Sequence, residues 1–333
     1  MTMRLAGLIF GALIAAGVAR AETAPLKDAT MALPSTGLPY ALVYIADAQH
    51  LWEKHGLNLK TVQIAGIGAT NAVISGSVDF AHASGPTLAR AAAKGQKLLA
   101  IVGVLDRIST EIVLRKSLAE AAHFDKSAPL LTRVQVLRGK TIAINSVNSV
   151  DQAFLQLLAR RAGYDPQEIR LAVMPADSAL AAFSTNQIDG LAMSPPWPQS
   201  LVLDGRAVTV ASGPSGEPND LIPIATTIVL TKPETCAQRE ALCIGIGQAM
   251  KEAASVLRDR PELAVPILTA RLNMDAKLIE AVLDKQRLAT PNPPTVSKAG
   301  LQHAEHINVE AGLMKEDEML SSYDGLATDK YVK

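Results

Sequence analysis

Val78-Asp79-Phe80-Ala81-His82-Ala83-Ser84-Gly85-Pro86 is matched, 110 residues later and without a gap, by Ile188-Asp189-Gly190-Leu191-Ala192-Met193-Ser194-Pro195-Pro196. A β-branched residue, an aspartate, a short strand-like run, a serine and a proline recur in register. Such self-similarity marks a supersecondary unit used twice, and two copies make a pair of lobes rather than a solenoid. Outward from this core, and at the same displacement, Val62-Gln63-Ile64 falls on Ala172-Val173-Met174. The loop Gly66-Ile67-Gly68 falls on Ala176-Asp177-Ser178. Each half reads strand, polar loop, helix, glycine, strand, polar loop, short helix, strand, serine. That β-α-β-α-β alternation predicts an α/β fold whose mainly parallel sheets are flanked by helices.

In the first half, Thr30 to Leu33 reads as a strand running into Pro34-Ser35-Thr36-Gly37. Pro39 then opens a helix that Gly56 closes. In the second, the strand Thr141 to Ile144 ends in Asn145-Ser146-Val147-Asn148-Ser149, and Ser149 with Gln152 has the spacing of a capping box. Glu111 to Arg115 reads as an extended crossing between lobes, followed by a linker-like insertion from Leu118 to Leu131. A return crossing is expected where Ile222 to Leu230 turns strand-like after the turn-rich Ser212 to Pro218. The helical pattern from Pro233 onward is expected to return and cover the first lobe. The expected division is residues 22–112 and 226–333 for a discontinuous first lobe and 113–225 for the second.

The N-terminus carries an address. One charge in Met1 to Arg4, the uncharged run Leu5 to Val18 and the small-residue motif Ala19-Arg20-Ala21 have the pattern of a cleaved secretory signal peptide, residues 1–21. The apolar run is short of the ~20 residues a membrane span needs. Cleavage removes Arg4 and Arg20 and leaves 30 basic against 32 acidic residues. That near-neutral balance lacks the basic surface that binding a phosphate backbone requires, so nucleic acid is excluded as a partner.

Cys236 and Cys243 are the only cysteines. In an oxidising compartment a disulfide is expected, with two buried free thiols as the alternative. Seven residues of straight helix would separate them by about 10 Å, too far to bridge, so the helix has to begin or break between them. Two cysteines without a nearby histidine do not complete a zinc site.

In an open parallel α/β sheet, ligands bind beyond the carboxyl ends of the strands. Ser35, Thr36, Gly66, Gly68 and Ser84 sit at such ends in the first half, and Asn145, Ser146, Ser149 and Ser194 in the second. Two facing sets imply a clamp whose hydroxyls and helix-start N–H groups suit a polar or anionic group. Tyr40 is available at the cleft, and Trp197 is placed either to stack on a planar ligand or to pack against its lobe. Arg107, just past the strand Leu99 to Val104, is the arginine nearest the expected mouth. Facing inward it would favour a sulfonate or carboxylate; facing away it would leave a neutral heterocycle equally suitable.

Three stretches carry a family resemblance: Tyr44 to Pro86, containing "GLNL" and "SGSVDFA"; Leu137 to Ile169, opening on "LRGKTIAI"; and Ala179 to Pro198. Together they resemble the periplasmic solute-binding proteins of ABC importers in the nitrate, sulfonate, taurine and thiamine-precursor group. The resemblance implies a type II periplasmic-binding fold, with ligand held in the interlobe cleft and delivered to a membrane permease and its ATPase. The implied protein is a periplasmic monomer that meets the membrane only through the permease, closes on its ligand and uses no cofactor or metal. Carried over residue by residue, its binding positions are Ser35-Thr36, Gly66 to Gly68, Ser84, Asn145 to Ser149 and Ser194 to Trp197. The chain departs from the family pattern at Met193-Ser194-Pro195-Pro196-Trp197-Pro198, where an acidic or aromatic residue commonly precedes the proline.

Catalytic readings find less support. Gly66 and Gly68 are a fragment of a dinucleotide fingerprint whose third glycine is replaced by Asn71. No GxSxG elbow occurs, and the six histidines show no metal or triad spacing. Pyrimidine-precursor enzymes of the same fold carry a cysteine-rich iron motif that is absent here. A ligand-sensing partner of a membrane receptor is the remaining alternative to import.

Overall fold

The computed structural model describes residues 25–333. The signal peptide read from residues 1–21 lies outside the described residues. Ten strands form two sheets of five. The first sheet contains β1 (Lys27–Leu33), β2 (Leu57–Gln63), β3 (Phe80–Ala83) and β4 (Leu99–Leu105). The second contains β5 (Glu111–Arg115), β6 (Thr141–Ile144), β7 (Arg170–Val173), β8 (Gly190–Met193) and β9 (Ala207–Ser212); β10 (Thr227–Thr231) returns to the first. The orders are β2-β1-β3-β10-β4 and β7-β6-β8-β5-β9. In each sheet one strand runs against the rest: β10 is antiparallel to β3 and β4, and β5 to β8 and β9. These are the two strands that follow a change of lobe, so each lobe is completed by chain arriving from the other.

Side chains alternate across a strand, and this period of two fixes how the sheets are covered. In the first sheet Met31 and Phe80 face one core while Ala32 and Ala81 face the other. The larger side chains meet helices Ala41–Ala48 and Glu240–Asp259. The smaller ones meet Gly68–Ser75 and Gly85–Ala93. The second sheet repeats the arrangement, with Ile142 and Ile144 on one face and Ala143, Leu191 and Met193 on the other.

Several expectations shift in detail. All five residues of β5 pair in the second sheet, so the first change of lobe falls between Leu105 and Glu111, ahead of the 112/113 boundary. The stretch 118–131 holds parts of two helices, Lys116–Ala121 and Leu130–Val134, rather than a plain linker. The helix opened by Pro39 is broken at His50, whose φ is +52°. The disulfide Cys236–Cys243 is present with its Cα atoms 5.6 Å apart. The chain achieves this by ending helix Pro233–Gln238 and starting Glu240–Asp259 around Arg239.

The helices from Pro233 to Ala289 cover the first sheet, Lys285 of the last of them also pairing with Glu111 of β5, and the next helix, Lys298–Glu310, serves both lobes. Its Ala304 and Ile307 join the second lobe's core, while Asn308 donates to the Pro86 carbonyl of the first at 2.9 Å. Glu310 at its end pairs with Arg161 of the second lobe at 2.7 Å. Among the described residues, no helix is long and apolar enough to cross a membrane.

Candidate functional site

Beyond the carboxyl ends of β1, β2, β3, β6 and β8 lies a cleft that both lobes line, with a volume of about 100 Å³. The first lobe contributes Pro34, Ser35, Pro39 and Tyr40 after β1, Gly66, Ile67 and Thr70 after β2, and Ser84 and Thr87 after β3. The second contributes Asn145, Ser146, Asn148, Ser149 and Asp151 after β6, and Ser194 after β8. Ser109 and Thr226 from the two crossings, with Thr227 at the start of β10, complete the wall.

The lobes touch around this cleft. Leu38 N–H donates to the Pro195 carbonyl at 3.0 Å. The Arg90 guanidinium reaches from helix Gly85–Ala93 to the Asn148 carbonyl at 2.6 Å and also donates to the Asn308 carboxamide oxygen. Gly66, at φ +55°, lies so close to the second lobe that a Cβ there would sit 2.9 Å from Ser146 Oγ. Gly85 is also constrained, since a Cβ would fall 2.1 Å from the Ala225 carbonyl oxygen. At Gly85 the obstacle is backbone and only glycine fits, whereas at Gly66 it is the left-handed φ that favours glycine.

Eight of the twelve expected binding residues line the cleft: Ser35, Tyr40, Gly66, Ser84, Asn145, Ser146, Ser149 and Ser194. Four do not. Thr36 is exposed and lies outside the cleft wall. Gly68 starts helix Gly68–Ser75 behind the rim, against Ile64. Arg107 turns away toward the Pro214 carbonyl at 3.5 Å. Trp197 is buried in the second lobe's core and its indole N–H donates to the Thr36 carbonyl at 3.4 Å. Its role in the structure is packing and interlobe contact, not stacking in the cleft.

The chemistry of the wall is hydroxyl and amide, with one carboxylate and no lysine, arginine or histidine. Tyr40 hydroxyl lies 3.0 Å from Ser35 Oγ, and burial raises its pKa, so the phenol stays protonated. Asp151 is 5% exposed; it accepts from Thr110 Oγ1 at 2.6 Å and from Asn145 Nδ2 at 3.3 Å. Burial raises its pKa against the opposing effect of those hydrogen bonds. Asp151 was missed from the sequence because an acid in the first turn of a helix reads as a complement to the helix dipole. Thr70, Thr87, Ser109, Thr226 and Thr227 carried no signal beyond being polar residues near strand ends.

Residues 39–264 match the NMT1/THI5-like family. The chain belongs to that family. Solved structures similar to this NMT1/THI5-like chain include the alkanesulfonate-binding protein SsuA from Xanthomonas axonopodis pv. citri, bound to MOPS. That likeness has 19% identity and a TM-score of 0.70, and covers 89% of this chain and 97% of that one. The periplasmic nitrate-binding protein NrtA from Synechocystis PCC 6803 is similar with 14% identity and a TM-score of 0.68, over 92% of this chain and 87% of that one. These likenesses show the periplasmic-binding-protein fold. A protein of Brucella suis biovar 1 (strain 1330), designated only as a binding protein, is 28% identical over 158 residues. The matched region spans 45% of this chain and 42%, less than half, of that relative's length.

Proposed function

We propose that this NMT1/THI5-like protein is a periplasmic solute-binding protein that captures a small polar solute between its lobes and presents it to an ABC permease and its ATPase. The observation that carries the reading is the shared cleft. Duplicated strand ends from two lobes converge on one pocket, and the lobes are joined by two crossings and by helices that touch both. An apolar cavity of about 150 Å³ holds benzene. The volume of about 100 Å³ here therefore suits a solute of only a few non-hydrogen atoms. The wall presents no nucleophile with an adjacent base, so capture rather than turnover fits its chemistry. Binding energy would shift an open ensemble toward the closed form.

The test is a thermal-shift screen of the secreted form against short carboxylates, sulfonates, nitrate, amines and small heterocycles. A true ligand stabilises by about 2.7 kcal/mol at a hundred times its Kd. Gly66→Val forces a side chain against Ser146 and wedges the lobes apart. It should weaken the best hit by about tenfold or more, a cost of about 1.4 kcal/mol. A hit indifferent to Gly66→Val, or one that is chemically consumed, would count against a binding clamp.

A further inference from the structure

The sequence suggested an anion site built from helix starts, and the structure shows several of those donors already committed. Gly85 N–H donates to the Ala225 carbonyl at 2.9 Å, residue 86 is proline, and Thr87 N–H donates to Ser84 Oγ at 3.2 Å. At the opposing helix Val150–Arg161, Gln152 N–H donates to Ser149 Oγ at 3.3 Å and Ala153 N–H to the Ser149 carbonyl at 3.0 Å. The nearby cations are committed as well. Arg90 is held by Asn148 and Asn308, Arg107 faces Pro214, and Lys285 pairs with Glu111 at 3.1 Å. None of the three lines the cleft.

Asp151 is what remains. It is the one cleft-lining group whose ordinary state is charged, it is nearly sealed from solvent, and its partners Thr110 and Asn145 are neutral donors. An ionised carboxylate has about four acceptor positions, and its bonds to the Thr110 and Asn145 side chains and to the Asn145 backbone leave room for a further donor. A buried charge without an ionic partner is costly, so burial drives Asp151 toward its protonated form, whereas an ammonium group seated beside it would favour the carboxylate and be stabilised in turn. The wall itself supplies no cationic side chain to hold that carboxylate ionised.

We infer that the cleft selects a solute carrying an ammonium group, seated against Asp151, and discriminates against simple anions of the same size. This rests on the solute-binding reading above and narrows its ligand class. The hydroxyls of Ser146, Ser194 and Thr227 and the Asn148 carboxamide remain for the solute's other end, so an amine bearing a hydroxyl or carboxylate fits better than a bare alkylamine.

Isothermal calorimetry on the wild-type protein with matched pairs tests this without any variant: β-alanine against propionate, ethanolamine against ethylene glycol, and nitrate and ethanesulfonate as bare anions. The amine member should bind at least about tenfold more tightly than its partner, as expected for a desolvated charge pair. Asp151→Asn should bring the pair to within about threefold, chiefly by weakening the amine, while Asp151→Glu keeps the preference. Tighter binding of propionate, nitrate or ethanesulfonate by the wild type would overturn the inference and leave the clamp standing. So would unchanged discrimination in a folded Asp151→Asn. If no member of any pair binds, the small-solute reading and the inference fall together.

Discussion

The two lobes share a scaffold but not a surface. In both, the repeated aspartate does the same structural work: Asp79 Oδ2 accepts from Thr30 N–H at 2.8 Å, and Asp189 Oδ2 from Thr141 N–H at 2.8 Å. Each ties the entry of its strand to the neighbouring strand, which explains why the aspartate recurs without touching the cleft. The rims diverge. Both lobes offer hydroxyls, but the first adds prolines and a phenol, whereas the second adds amides and the cleft's carboxylate. The loop after β2 reaches the cleft through Gly66, Ile67 and Thr70, but its counterpart at Ala176 to Ser178 after β7 does not. Duplication thus supplied two frames, and the cleft's one carboxylate was written into only the second of them.

The largest consequence of the asymmetry should appear in acid. His82 on β3 is completely buried, its ring stands edge-on to Tyr40 at 5.2 Å, and neither ring nitrogen has a hydrogen-bond partner among the described residues. The position repeated in the second lobe is Ala192. Burial lowers the His82 pKa to about 3, so the folded protein keeps it neutral. An unfolded histidine titrates near 6.5, so below that pH the unfolded chain binds a proton that the folded chain refuses. Stability contributed by the neutral ring is complete above about pH 6.5 and declines by about 1.4 kcal/mol per unit down toward the folded value. At pH 4.5 the deficit is about 2.7 kcal/mol. His82→Leu should abolish this part of the acid loss in urea melts at pH 7 and 4.5. An acid limb equally steep in the variant would show that the charge imbalance lies elsewhere, and the lobes would then not differ in this respect.

Reduction should separate the lobes next. Cys236 and Cys243, seven residues apart, clip the start of helix Glu240–Asp259 in the first lobe, and the second lobe contains no cysteine. The chain-entropy cost of opening so short a loop is about 2.5 kcal/mol. Hydrogen exchange with and without reductant should show lost protection in Glu240–Asp259, with β6 and β8 unchanged. Uniform loss across both sheets would mean that the lobes unfold as one cooperative unit.

The frame was legible in the sequence because its determinants are local and repeated. A strand of alternating side chains, an aspartate before it and a serine after it leave a pattern at a fixed displacement. Side-chain direction beyond a strand end leaves none. Ser35 and Thr36 are adjacent, yet one lines the cleft and the other is exposed outside its wall. Trp197 and Thr87 occupy equivalent repeat positions, yet only the threonine lines the pocket. Arg107 sits in the first crossing, where the chain turns between lobes and its side chain follows the turn to Pro214. Asp151 was hidden for the opposite reason: its position has an adequate local explanation, and only the opposing lobe gives it a second one.

Ser84 and Ser194 offer the finest comparison, because the repeat makes them equivalent and the structure does not. Ser84 Oγ accepts from Thr87 N–H at 3.2 Å and caps helix Gly85–Ala93. Ser194 precedes Pro195 and Pro196, and the helix that follows, Trp197–Leu203, has no side-chain cap. Both line the cleft. Ser84→Ala should therefore lose about 1 kcal/mol of stability through the vacated cap. Ser194→Ala should stay within about 0.5 kcal/mol of the parent protein, as for a substitution away from any cap or buried network. If both serines serve the solute, each variant weakens binding while only the first lowers the unfolding midpoint. Equal stability losses would show that Ser194 carries a structural duty its surroundings do not reveal, and the serine would then recur for the scaffold's sake, as the aspartate does.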